Sequence, residues 1–298
     1  MTKINFKNLI KDPQRISFLN FEEISNTLQV VKELIKDETV ILEFNLDTED
    51  EIYVIGDIHG NLQSLRKMIE LINKASPKGV IFLGDIVDRG PHQLECLILV
   101  LSLKIIEPHK FYLLKGNHET LEMNQYYGFF QDFISRFNDR SKFNEVLSLY
   151  KELSLCALIN NSVLCLHGGI PEDFSILEKL KKKRYEDLEK NDLDEIAPAI
   201  FQILWNDPKE IESLEFSSSY RGSGIKFFGQ KAFDKFMEQN NLQFLIRSHE
   251  CFPEGYRWFF NRRLLSIFSS ADYRGLFTPN PGSYAIIKGE NIIPILFK

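Results

Sequence analysis

Three short glycine-bounded motifs, each placed directly after an apolar run, constrain this chain more than any other feature. They are Gly56-Asp57-Ile58-His59-Gly60, Gly84-Asp85-Ile86-Val87-Asp88-Arg89-Gly90 and Gly116-Asn117-His118-Glu119. The runs before them, residues 52–55, 80–83 and 111–114, read as short buried strands. The segments between them read as helices. Residues 61–75 carry Leu62, Leu65, Met68, Ile69 and Ile72 on one stripe, and residues 91–105 carry Pro91 in the first turn. Strands alternating with helices predict an α/β core. In such a sheet, ligands sit at the carboxyl ends of the strands, and adjacent strand ends can converge on one point.

The residue types at those ends suit metal ions. Asp57 and His59 stand two apart, so on extended backbone they face one side and offer a carboxylate and an imidazole. A turn aspartate beside a surface histidine would give the same local sequence. Asp85 repeats the pattern on the next strand, and its two oxygens can bridge two cations. Asp88 and Arg89 add a second acid and a bidentate phosphate donor. Asn117 offers an amide oxygen, which suits a hard or borderline cation. Its alternative role is a helix cap. His118 reads as a ligand or as a general acid. His167 and His249 each follow a later apolar run and offer two more imidazoles. With Asp85 shared, Asp57, His59, Asp85, Asn117, His167 and His249 suffice for two metal sites. An N/O set without thiolate favours manganese, iron, zinc or cobalt over a cysteine-bound structural zinc.

Composition narrows the setting. The chain has 298 residues, which suits one large domain. Net charge is −6, so the basic field of a nucleic-acid binder is missing. The four cysteines, Cys96, Cys156, Cys165 and Cys251, form no C-x-x-C pair and no disulfide framework, which predicts a reducing, cytoplasmic location. The longest apolar stretch, residues 94–106, is broken by Glu95, Ser102 and Lys104 and is too short to span a bilayer, so no membrane association is expected.

Residues 1–50 read as a helical extension packed on a core of residues 51–298, with Leu28, Val31, Leu34 and Ile35 as its apolar face. Residues 129–153 read as one amphipathic helix, and the mixed charges of 178–195 as a solvated helix face. Residues 217–224 form a Ser/Gly loop. The last third is strand-rich, at 244–247, 264–268, 284–287 and 292–297. The sum predicts two packed mixed β-sheets flanked by helices.

In this order the motifs resemble the signatures of the phosphoprotein phosphatases, a family of Ser/Thr phosphatases within the calcineurin-like metallophosphoesterases. Later segments extend the resemblance: Leu166-His167-Gly168-Gly169, Leu204-Trp205-Asn206-Asp207-Pro208, Arg221-Gly222 with Phe227-Phe228-Gly229, Arg247-Ser248-His249, and Phe268-Ser269-Ser270-Ala271-Asp272-Tyr273. The resemblance spans residues 51–298. It implies the calcineurin-like fold and hydrolysis of phosphoserine and phosphothreonine by a hydroxide held between two divalent metal ions. Manganese is the first expectation for both. It implies that Asp57, His59 and His249 bind one metal, Asn117 and His167 the other, and that Asp85 bridges. It makes Arg89 and Arg221 the phosphate clamp and His118 the general acid, oriented by Asp88, with Tyr273 lining the site. The expected partners are phosphorylated proteins and regulatory subunits. A diadenosine tetraphosphate hydrolase shares the first two motifs and is the alternative activity.

Overall fold

The computed structural model describes residues 4–275 and 277–298. One sheet has six strands in the order β1 (Ile41–Phe44), β5 (Cys156–Ile159), β6 (Val163–Leu166), β10 (Phe244–Arg247), β12 (Leu264–Ile267) and β11 (Tyr256–Phe259). A second has five, in the order β14 (Asn291–Phe297), β13 (Gly282–Lys288), β2 (Glu51–Ile55), β3 (Gly79–Phe82) and β4 (Phe111–Leu113). β2, β3 and β4 run parallel, while β13 and β14 complete their sheet antiparallel. A small third sheet joins β7 (Asp207–Pro208), β9 (Lys226–Phe228) and β8 (Phe216–Ser218).

The two large sheets pack face to face, and the period-two alternation of their residues shows why. Ile52 and Val54 of β2 point into the inter-sheet core with Ile81, Ile246 and Leu265. Tyr53 and Ile55 point the other way, into a helical layer. That layer includes the helices Phe21–Ile35, Leu62–Ala75 and Gln93–Ile106. The outer face of the six-stranded sheet is covered by the helices Lys190–Trp205 and Gln230–Gln239. The result is the two-sheet, helix-flanked sandwich expected from the sequence. The apolar stretch before Glu107 is a helix buried in the first layer, and no helix among the described residues is long and apolar enough to cross a membrane.

Several elements differ from the sequence expectation. The first fifty residues are not wholly helical. Their helices end at Ile35, and Ile41–Phe44 is a parallel strand on the edge of the six-stranded sheet, in register with Cys156–Ile159. Its apolar partners lie over a hundred residues away, so local pattern gave no sign of it. The expected long helix at 129–153 is two helices, Phe129–Phe137 and Asn144–Glu152, broken where Asn138 adopts φ +51° and its N–H caps the carbonyl of Ile134. The charged run at 178–195 holds the end of one short helix, a 3₁₀ turn and the start of Lys190–Trp205.

Candidate active site

The loops after β2, β3 and β4 carry the three motifs, and the loops after β6 and β10 bring His167 and His249 to the same point from the other sheet. The convergence demands unusual backbone. His59, Asp85, Asp88, Arg89 and His249 all have positive φ, between +48° and +72°. Such strain in non-glycine residues collects at functional sites. The loops also touch closely. A Cβ on Gly84 would lie 2.2 Å from the Gly116 nitrogen, so only glycine lets the second and third motifs meet.

Asp85 occupies the centre. Its Oδ2 lies 3.6 Å from His59 Nε2, 3.8 Å from His118 Nε2 and 3.4 Å from His167 Nε2. Asp57 Oδ2 lies 3.5 Å from His59 Nε2. His167 Nε2 is also 2.8 Å from Asn117 Oδ1 and 3.2 Å from His249 Nδ1. All six candidate ligands are buried, and Asp57 Oδ2 and His249 Nε2 have no hydrogen-bond partner.

The donor set fits cations. His59 Nδ1 lies 3.0 Å from the Val87 carbonyl, and His167 Nδ1 lies 3.0 Å from the Leu83 carbonyl. Donating from Nδ1 leaves Nε2 of each ring bare and aimed at carboxylate oxygen. Lone pairs facing lone pairs in a buried site are repulsive unless a cation lies between them. Burial pushes His167 down to about 4, so it is neutral at physiological pH. Burial, together with the charges of Asp57 and Glu119, pushes Asp85 well above the usual carboxylate range. A positive charge at the centre is what would let Asp85 ionise as well.

The mouth is cationic and aromatic. A cavity of about 310 Å³ opens over Asp85, Asn117 and His118, with Arg89, Arg221 and Tyr273 in its wall. The Arg89 guanidinium sits 3.9 Å above the Tyr127 ring and 5.9 Å from the Tyr273 ring. Tyr273 stacks on His59 with ring centroids 5.3 Å apart. Arg221 Nε donates to Asp207 Oδ2 at 2.5 Å, and Asp207 Oδ1 accepts from the fully buried Arg247 at 2.9 Å. His118 Nδ1 is 2.7 Å from Asp88 Oδ2, which also accepts from Asn124 at 2.9 Å. Burial pushes Asp88 up to about 6. Burial, then the nearby His59 and Arg89, pushes His118 down to about 2.

Every candidate residue named from the sequence therefore lies in or beside one pocket. Sequence reasoning missed the supports. Asp207, Arg247, Asn124 and Glu119 have no local signal, because their partners are distant in the chain. Only the motif letters around Asp207, Arg247 and Glu119 marked them at all.

A dense N/O cluster at the meeting edges of two sheets, beneath a pair of arginines, defines a metallophosphoesterase. Residues 51–253, over half of the chain, match the calcineurin-like phosphoesterase family, and the chain belongs to it. Within that family it belongs with the serine/threonine protein phosphatases. The serine/threonine-protein phosphatase 4 catalytic subunit of Saccharomyces cerevisiae is 32% identical over 237 residues, covering 79% of this chain and 74% of that protein. The serine/threonine-protein phosphatase 6 catalytic subunit of Drosophila melanogaster is 29% identical over 264 residues, covering 89% and 83%. A solved Saccharomyces cerevisiae protein serine/threonine phosphatase, described as similar to human phosphatase PP5, superposes with a TM-score of 0.80 at 28% identity, over 94% of this chain and 90% of that one.

Proposed function

We propose that this chain hydrolyses phosphoserine and phosphothreonine in proteins, with residues 51–298 as the catalytic unit and the first helices bracing it. The observation that carries this reading is the pair of bare imidazole nitrogens, on His59 and His167, facing the shared Asp85 carboxylate. Asp57, His59 and His249 would hold one divalent ion and Asn117 and His167 a second, with Asp85 between them. Manganese is the expected metal, since hard oxygens and imidazoles dominate the set and thiolate is missing from it. When bound, such a pair supplies Lewis acidity toward a phosphoryl oxygen and acidifies water.

The remaining work falls to the chain's own groups. Arg89 and Arg221 receive the phosphate oxygens and stabilise the charge that develops on them. Tyr127 and Tyr273 fix the plane of Arg89, and Asp207 fixes Arg221. His118 faces the reacting centre through Nε2 and donates a proton to the leaving seryl or threonyl oxygen, which is too basic to depart unaided. His118 alone holds a proton poorly, but Asp88 retains one near pH 6 and touches its Nδ1. The two therefore act as a pair whose proton is drawn toward Nε2 when a phosphate dianion sits beside it.

Phosphoprotein substrates follow from this chemistry, and the catalytic subunits among the relatives support a regulatory partner. Three buried cysteines and one partly buried one, none in a disulfide among the described residues, suit a cytoplasmic setting. The test compares kcat/KM for a phosphoserine or phosphothreonine peptide with that for diadenosine tetraphosphate, both with Mn²⁺. We expect the peptide to be the better substrate. Turnover of the nucleotide alone would overturn the assignment.

A further inference from the structure

Glu119 ends the third motif, and its carboxylate is buried behind the site with no cationic side chain in ion-pair range among the described residues. Three backbone amides satisfy it. Oε2 accepts from Gly116 N–H at 2.7 Å and from Asp85 N–H at 2.9 Å, and Oε1 accepts from Ile86 N–H at 3.2 Å. Each donor lies in a loop that carries a candidate ligand: Asp85 itself, its neighbour, and the residue before Asn117.

The linkage continues beyond those loops. The Asp85 carbonyl accepts from Ile58 and His59 N–H at 3.0 and 2.9 Å, so the Asp57–His59 loop is hung on the same residue. Asp85 Oδ1 accepts from His118 N–H at 2.9 Å. Asp85 holds this place with φ +53°, a conformation a non-glycine residue keeps only when its surroundings impose it. Glu119 supplies two of the restraints, on the amides at 85 and 86. The contact leaves no room for a side chain at 116, where a Cβ would lie 2.8 Å from Glu119 Oε2 and 2.3 Å from Asp85 Oδ1.

We propose that Glu119 is a positioning residue that ties the second and third motif loops together and sets the affinity for divalent metal without binding it. The inference rests on the metal-site reading above. Both carboxylate oxygens are used as acceptors, so the isosteric Glu119→Gln must turn an NH₂ group against at least one backbone N–H. That replaces a hydrogen bond with a buried clash of donors.

The experiment is Mn²⁺ titration by calorimetry on the full chain, for wild type and Glu119→Gln, with no substrate present. Loss of about 10–100-fold in Mn²⁺ affinity is expected, the range for residues that orient metal ligands. Equal affinity in the two proteins would overturn the inference while leaving the metal site standing. If wild type binds no Mn²⁺, both fall. Hydrogen exchange on metal-free wild type keeps the test open should the variant not fold. The amides of Asp85, Ile86 and Gly116 are expected to be protected without metal, and fast exchange at all three would overturn the role.

Discussion

His118 faces opposed demands. Burial holds it neutral, yet as the proposed general acid it must give a proton to the leaving alkoxide. In the proposed mechanism Asp88 shares this load, because the same burial raises its carboxyl to about 6 and it lies 2.7 Å from His118 Nδ1. His118→Asn should therefore cut turnover of a phosphoserine peptide by about 10²–10⁴-fold. The loss on an aryl phosphate should be much smaller, since a phenolate leaves with less help. Equal losses in steady-state assays of the two substrates would count against a general acid at this position. Asp85 makes a different kind of prediction. Among the described residues, its carboxylate alone lies within 3.8 Å of His59, His118 and His167 together. Asp85→Asn should lower the content of both metals at once, as read by elemental analysis after dialysis; loss of one metal with the other retained would refute the shared position.

At the scale of elements, what was legible depended on whether the cause was local. The three motif loops could be read because glycine, aspartate and histidine at strand ends have a local physical reason. Ile41–Phe44, Cys156–Ile159 and Tyr256–Phe259 could not, because a four-residue strand takes its identity from neighbours that only the fold supplies. The anchoring of Arg221 by Asp207 and Arg247 was hidden for the same reason. One such long-range link can be tested through pH. Glu38, just after the helix Phe21–Ile35, pairs with the buried Lys104 of Gln93–Ile106 at 2.5 Å and so joins the N-terminal helices to the core. Burial raises its carboxyl above 4.5, outweighing the Lys104 charge. A raised folded value means that the linked stability is complete below about pH 4.5 and is lost as pH rises through that folded value. Comparing wild type with Glu38→Gln by denaturant unfolding from pH 4 to 6.5, the difference should move in favour of the variant as pH rises. Movement the other way would mean that the Lys104 charge dominates.

For the whole molecule, the architecture explains why the site has its composition. Two sheets packed face to face bring their strand ends to a common edge, one sheet supplying Asp57, His59, Asp85, Asn117 and His118 and the other His167 and His249. Several carboxylates are thereby buried together, an arrangement that would repel a phosphate dianion unless cations neutralise it. Divalent metal at this edge is what would make the protein a phosphatase. The most direct test strips the full chain with a chelator, returns Mn²⁺ in steps, and follows bound metal per chain and phosphate release from a phosphoserine peptide in the same samples. No release is expected from the stripped protein, and activity should rise with occupancy to a plateau at two metals per chain. Full activity in the stripped protein, or two bound metals with no hydrolysis, would contradict it.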